Sequence, residues 1–167
     1  SCEMPEGAGK AYKVVLTIAG LFSVETQMSY APPTIDRLED SSGSPITTIG
    51  TRGSDLVVLV GTNFPNTKSE LDLVRFGSSQ SGFSTYGVVD DALSFTLSAP
   101  GTCQVLVAGI SIRCLTLPGV LMGHGWQVTV GGLTSTVGAT TSYDEPTIDT
   151  VEVEIVGDRV VGQLSLF

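Results

Sequence analysis

Apolar and polar residues alternate with a period of two over much of the chain, the pattern of half-buried strands, and no stretch holds the longer period of an amphipathic helix. Tyr12, Val14, Leu16 and Ile18 share one face of a predicted strand, with Lys13, Val15 and Thr17 on the other. A second strand, Val24 to Tyr30, follows the break at Ala19-Gly20. Ile35 and Leu38 are the apolar pair of a strand over Thr34–Glu39. Asp55 to Phe64 is apolar on both faces, as a central strand is. Leu71 to Gly77 divides Leu71, Leu73 and Arg75 from Val74 and Phe76, and Leu93, Phe95 and Leu97 alternate with Ser94 and Thr96. Strands are further expected at Trp126–Val130 and Ser135–Tyr143. Val151, Val153 and Ile155 then alternate with Glu152 and Glu154, and a last strand covers Val160–Phe167. Turn-forming residues separate these runs at Pro5–Gly9, Asp40–Gly43 with Pro45, Ser78–Gly82 and Pro100-Gly101.

The clearest hairpin lies between Gly101 and Gly132. Taking Ala108-Gly109 as a two-residue turn pairs Val107 with Ile110, Val105 with Ile112 and Cys103 with Cys114, all on one face, while Gln104, Leu106, Ser111 and Arg113 point the other way. Opposite residues in such a register are close enough for a disulfide. The expectation is a hairpin stapled by Cys103 and Cys114.

Part of this stretch occurs twice. Cys114 to Asp149 and Cys2 to Asp36 share their spacing at an offset of 112 to 113 residues, with Ser-Tyr-x-x-Pro-Thr-Ile-Asp kept intact. A repeat changes the domain reading. Residues 1–30 are expected to be the C-terminal strands of one domain, 31–145 a complete domain, and 146–167 the N-terminal strands of a following one. Ala31-Pro32-Pro33 and Glu145-Pro146 mark the junctions, where proline stiffens the passage. Cys2 takes the place of Cys114 in the repeat, and its counterpart partner would precede Ser1. Three readings stay open: a cut from a longer array, a bond to another molecule, or a free thiol.

Composition narrows the class. The 20 Gly, 8 Pro and abundant Ser and Thr suit an all-β fold. Lys and Arg number 8 against 17 Asp and Glu, and the net charge of −9 repels phosphate backbones, so nucleic acid is not expected as a partner. No apolar run reaches the roughly 20 residues of a membrane span. A local disulfide points to an oxidising compartment, hence an extracellular or cell-surface location.

Candidate chemistry is sparse. His124, the sole histidine, lies between Gly123 and Gly125 and reads as a solvated loop residue. Gly7-Ala8-Gly9 lacks the third glycine of a dinucleotide loop, and Gly77 to Ser81 misses the nucleophile-elbow pattern. Glu39-Asp40 and Asp90-Asp91 are acidic pairs without calcium-loop spacing. Trp126 reads as an edge of the core, with sugar stacking as the alternative. No catalytic residue, metal ligand or cofactor is assigned. Asn63 and Asn66 lie outside any N-glycosylation sequon, whereas Pro32, Pro33, Thr34, Ser44 and Pro45 are candidates for O-linked glycan on a hydroxyl or on hydroxylated proline.

Pro33-Thr34-Ile35, Gly61-Thr62-Asn63-Phe64 at the end of an apolar strand, Val74-Arg75-Phe76-Gly77, and a cysteine hairpin followed by Pro118 and Val128-Thr129-Val130-Gly131-Gly132 resemble the IPT, or TIG, domain. The resemblance covers about residues 31–145 and implies an immunoglobulin-like β-sandwich with no catalytic residues. Such domains serve in tandem arrays of receptors, adhesins and surface fibres, as accessory modules of secreted enzymes, and in some transcription factors. The expectation is a structural subunit of an extracellular fibre or array that self-associates head to tail through its terminal strands and carries a covalent glycan. The alternatives are an adhesin or receptor module that binds glycan or protein, and an accessory domain of a polysaccharide enzyme.

Overall fold

The computed structural model describes residues 3, 7–78, 82–88, 99–148, 151–156 and 159–164. Cys2, Asp90-Asp91 and the expected strand at Leu93–Leu97 lie outside the described residues. The fold is all β, and the helical turn Lys68–Glu70 is the only helix among the described residues. It opens with a ribbon of four short strands, β1 (Tyr12–Val14), β2 (Thr17–Ile18), β3 (Leu21–Phe22) and β4 (Thr26–Met28). The ribbon reverses at Ala19-Gly20, whose φ angles of 50° and 82° are both positive, as a type I′ hairpin turn requires.

The main body contains β5 (Thr34–Glu39), β6 (Thr48–Ile49), β7 (Leu56–Thr62), β8 (Leu71–Ser78), β9 (Gly82–Val88), β10 (Thr102–Val107), β11 (Ser111–Leu115), β12 (His124–Val130), β13 (Leu133–Thr134) and β14 (Thr140–Tyr143). Hydrogen bonding follows the order β5-β7-β11-β10-β9-β8-β12-β14-β6, with β13 added to β12. One layer is β5-β7-β11-β10 and the other is built on β8-β12-β14. β9 carries the ladder between them, antiparallel to β8 and parallel to β10 at Gly87 and Val88. The layers enclose a core in which Ile35, Leu38, Val57, Leu59 and Ile112 meet Val74, Phe76, Tyr86, Trp126 and Val128. A separate antiparallel pair, β15 (Val151–Val156) with β16 (Arg159–Leu164), follows.

The Gly-x-Asn-Phe element ends β7 for physical reasons. A β-carbon on Gly61 would collide with the carbonyl oxygen of Thr34, so only glycine lets β5 cross this closely. Asn63 takes φ 55° and donates from Nδ2 to the Pro32 carbonyl at 3.1 Å, which ties the junction to the sandwich. Phe64 then drops into the core.

Two expectations are corrected. Val107 faces Ser111 rather than Ile110, because the ladder slips by one residue between Val105 and Val107; Val107 and Ile110 are consequently exposed. The Val105–Ile112 and Cys103–Cys114 pairings hold, and the disulfide is formed. Leu71 is buried with Val74 and Phe76, because the register against β12 shifts so that Asp72 is the extra residue of a bulge. Arg113 lies on the other face from the disulfide together with Gln104, as the register predicts, and is buried. Its strand is buried throughout between β7 and β10, and its guanidinium donates to the Gln104 side-chain carbonyl from Nε and Nη2 at 3.0 and 2.7 Å.

Candidate functional site

The sequence repeat is also a structural repeat. In the sandwich, β12 and β13 pair Thr129 with Thr134 and Val130 with Leu133; on the ribbon, Thr17 pairs with Phe22 and Ile18 with Leu21. His124 opposite Thr141 corresponds to Tyr12 opposite Met28. Ser135 N donates to the Val128 carbonyl at 2.8 Å and accepts on its hydroxyl from Val128 N at 3.0 Å. Ser23 makes the same two bonds with Leu16, at 2.8 and 2.9 Å.

Ring contacts repeat as well. His124 meets Tyr143 edge-on at 5.3 Å between centroids, and Tyr12 meets Tyr30 edge-on at 5.8 Å. A β-carbon on Gly119 would lie 2.5 Å from the Tyr143 ring, and one on Gly7 would lie 2.8 Å from the Tyr30 hydroxyl. A tyrosine ring thus closes on a glycine at both places.

Only the covering differs. Trp126, Val128 and Val130 expose 0%, 0% and 2% of their surface, because β5 and the rest of the first layer lie across them. Their counterparts Val14, Leu16 and Ile18 expose 41%, 58% and 65%. Leu21, Phe22 and Val24 are more exposed still. Leu16, Ile18, Leu21 and Phe22, with Ala19 and Ser23, line a groove of about 410 Å³. A run of large exposed apolar side chains makes the ribbon the candidate interaction surface. The sequence pattern had placed Tyr12 to Ile18 on one face. The repeat is the sequence signal here, since it sets Val14, Leu16 and Ile18 at the positions of Trp126, Val128 and Val130, which β5 and the first layer cover.

The sequence-predicted residues are scattered over the molecule. Cys103 and Cys114 are fully buried, and their bond joins the two strands of one hairpin. Pro32, Thr34, Ser44 and Pro45 are exposed, whereas Pro33 is buried. Thr34 Oγ1 lies 2.8 Å from Thr62 Oγ1 and donates to Asp36 at 3.2 Å. In the Glu39-Asp40 pair, Glu39 accepts from Arg37 at 2.5 Å. Asp40 is taken up by its own turn: Oδ1 accepts from the Ser42 hydroxyl, Ser42 N and Ser44 N. These bonds, that from the Ser42 side chain foremost, hold its carboxyl below the usual range. No group of three His, Cys, Asp or Glu side chains able to hold a metal occurs among the described residues.

Trp126 sits in the middle of the core, with Nε1 donating to Thr141 Oγ1 at 3.3 Å, and is not available for stacking on sugar. His124 is not a solvated loop residue either. Gly123, at φ 68°, turns the chain so that β12 begins at His124, and the ring packs on Phe76 with Nε2 donating to the Val120 carbonyl at 2.9 Å. A second concavity of about 240 Å³ lies beside it, between Phe76, Tyr143 and the loop at Leu117–Leu121. Burial raises the hydroxyl of Tyr86 to a pKa of about 12 and also raises that of Tyr143. No helix among the described residues is long and apolar enough to cross a membrane. Comparison of the chain with protein-family profiles, curated proteins and solved structures finds no match.

Proposed function

We propose that the chain is a structural subunit of an extracellular fibre or surface array, built from IPT-like sandwiches that associate with copies of themselves head to tail. The observation that carries this reading is the exposed apolar face at Val14, Leu16 and Ile18, whose counterpart at Trp126, Val128 and Val130 is core. A surface built to be covered calls for a partner. The buried disulfide fits an oxidising location. Glycan on Pro32, Thr34, Ser44 or Pro45 would decorate the outside of such a fibre, and an intact mass above that of the sequence tests it. The assignment to IPT-like sandwiches rests on the Pro-x-Ile, Gly-x-Asn-Phe and Val-Gly-Gly elements.

Electron microscopy of native material, with gels run before and after reduction, tests the proposal. Filaments whose axial repeat matches one sandwich plus a junction support it, and a short chain that persists after reduction shows that copies are held without a continuous covalent backbone. Monodisperse single chains would overturn it. The second reading, an adhesin or receptor module, is favoured by the exposed loop Val120, Leu121 and Met122 beside the His124 concavity. It predicts such single chains, with ligand binding lost on substitution in that loop.

A further inference from the structure

The apolar face of the ribbon repeats that of β12 and β13, so what covers the second indicates what covers the first. Across the core from β12 lies β5, with β7 beside it, contributing Ile35, Leu38, Val57 and Leu59. The chain holds a second segment of this kind. Pro146-Thr147-Ile148-Asp149 repeats Pro33-Thr34-Ile35-Asp36, and Asp158-Arg159-Val160-Val161 resembles Asp55-Leu56-Val57-Val58. Each motif pair belongs to an antiparallel pair of strands, although β5 begins inside its motif, β15 begins beyond its own, and the two registers differ. β15 runs antiparallel to β16, with Val151 opposite Leu164 and Val156 opposite Arg159, as β5 runs antiparallel to β7, with Leu38 opposite Leu59. Val151, Val153 and Ile155 fall at alternate positions of β15, so one side of it is apolar by sequence.

Within one chain this second pair does not cover the ribbon, since Val14, Leu16 and Ile18 remain exposed. The ribbon is instead held at its base against the far turn of the sandwich, where residues 8–10 run beside Gly131 and Gly132, and its apolar tip projects beyond that contact. Among the described residues the ribbon's apolar face is thus uncovered, and the β15–β16 pair carries the motifs of the pair that covers its counterpart.

Resting on the fibre reading above, we infer that the β15–β16 pair of a second copy lies across Val14, Leu16 and Ile18 of the first, as β5–β7 lies across Trp126, Val128 and Val130. The occupant of the groove is this chain itself. The contact is heterologous, each copy giving one surface and receiving on a different one, so it does not close on two chains and propagates as a filament. Seating the pair there converts the ribbon into half of a second, intermolecular sandwich.

Two single substitutions separate giving from receiving. Leu16→Glu places a carboxylate in the receiving face and leaves β15–β16 intact; Val153→Glu does the reverse. Because an unpaired charge in a buried apolar contact is strongly unfavourable, each variant alone is expected to associate at least about 100-fold more weakly than the native chain in sedimentation velocity. Mixed in equal amounts they are expected to form a species of two chains and nothing longer, since Leu16→Glu still gives and Val153→Glu still receives. Leu16 is solvent-exposed in the single chain, so the near-ultraviolet signal of buried Trp126 stays unchanged and reports an intact sandwich. Hydrogen exchange on the native assembly provides a second measurement, with slowing expected in residues 12–28 and 151–164.

If the native chain assembles and both variants assemble equally well, or if the mixture stays monomeric, this contact is overturned while the fibre reading survives. Exchange that slows only outside these two segments overturns it in the same way. A native chain that stays monomeric at every concentration overturns both.

Discussion

The backbone N–H of Val128 finds the hydroxyl of Ser135 inside the sandwich, and the N–H of Leu16 finds that of Ser23 on the ribbon. The geometry is shared and the burial is not, which makes the pair a direct probe of environment. Ser135→Ala leaves a buried donor unpaired and is expected to lower stability by about 1–3 kcal/mol, whereas Ser23→Ala lets water replace the hydroxyl and stays within about 0.5 kcal/mol in the single chain; urea unfolding of both variants checks this. Tyr86 provides a pH test. Its ring packs against Trp126 and Phe76, and its hydroxyl accepts from Leu117 N at 3.2 Å. Burial raises its pKa from 10.0 to about 12. Between these values the unfolded chain has released the proton that the folded one keeps, so stability falls as pH rises through this window and is fully present below about pH 10. Tyr86→Phe is expected to flatten part of that decline in thermal unfolding, and Tyr143, also raised by burial, to retain the rest. These residues also show what single-sequence reading misses. His124 looked solvated because glycine flanks it on both sides, yet Gly123 serves to turn the chain into β12 and Gly125 is itself buried.

At the scale of elements, the disulfide joins two strands that the ladder already pairs. Its loop is short, with a separation of 11 residues, so closing it restricts the unfolded chain by only about 3 kcal/mol. The double variant Cys103→Ala/Cys114→Ala is expected to lose about that much in urea unfolding and to keep the β10–β11 pairing, because β11 remains bonded to β7 along its whole length. A loss of the sandwich signal in native buffer would mean that the cross-link specifies the fold rather than supports it. This pairing was legible in the sequence, since alternation and a short turn bring two cysteines to one face. So was the repeat, which set Thr17, Ile18, Leu21 and Phe22 at the positions of Thr129, Val130, Leu133 and Thr134, and these pair alike. The bulges were not. One extra residue at Asp72 moves Leu71 to the core side, and a slip near Leu106 exposes Val107; neither leaves a trace in a pattern whose period is two. The parallel bridge from β9 to β10 is likewise set by tertiary closure, through contacts distant in sequence that strand propensity does not encode.

For the whole molecule, charge and apolar surface act in opposite senses on self-association. Each copy carries a net charge of −9, so two copies repel until ions screen them, over a distance of about 10 Å at 0.1 M salt. The groove proposed to receive a second copy is lined by Leu16, Ile18, Ala19, Leu21, Phe22 and Ser23, none of them charged. The ion pair on the ribbon, Lys13 with Glu25 at 2.9 Å, is internal to it and exposed, and such pairs contribute little in water. Screening therefore removes the repulsion and leaves apolar burial intact. The concentration at which chains assemble is expected to fall several-fold as sodium chloride rises from about 10 to about 150 mM, and light scattering across a dilution series at each salt measures it. Lowering the pH toward the pI of about 4.3 acts in the same direction by cancelling the charge. Fibres that dissolve on adding salt would point to a different contact, one in which the acidic positions Glu152 and Glu154 meet Lys10 and Lys13 of a neighbour. Salt would then weaken the attraction that builds the fibre, and Leu16→Glu would disturb assembly far less than reversing the charge at Lys13.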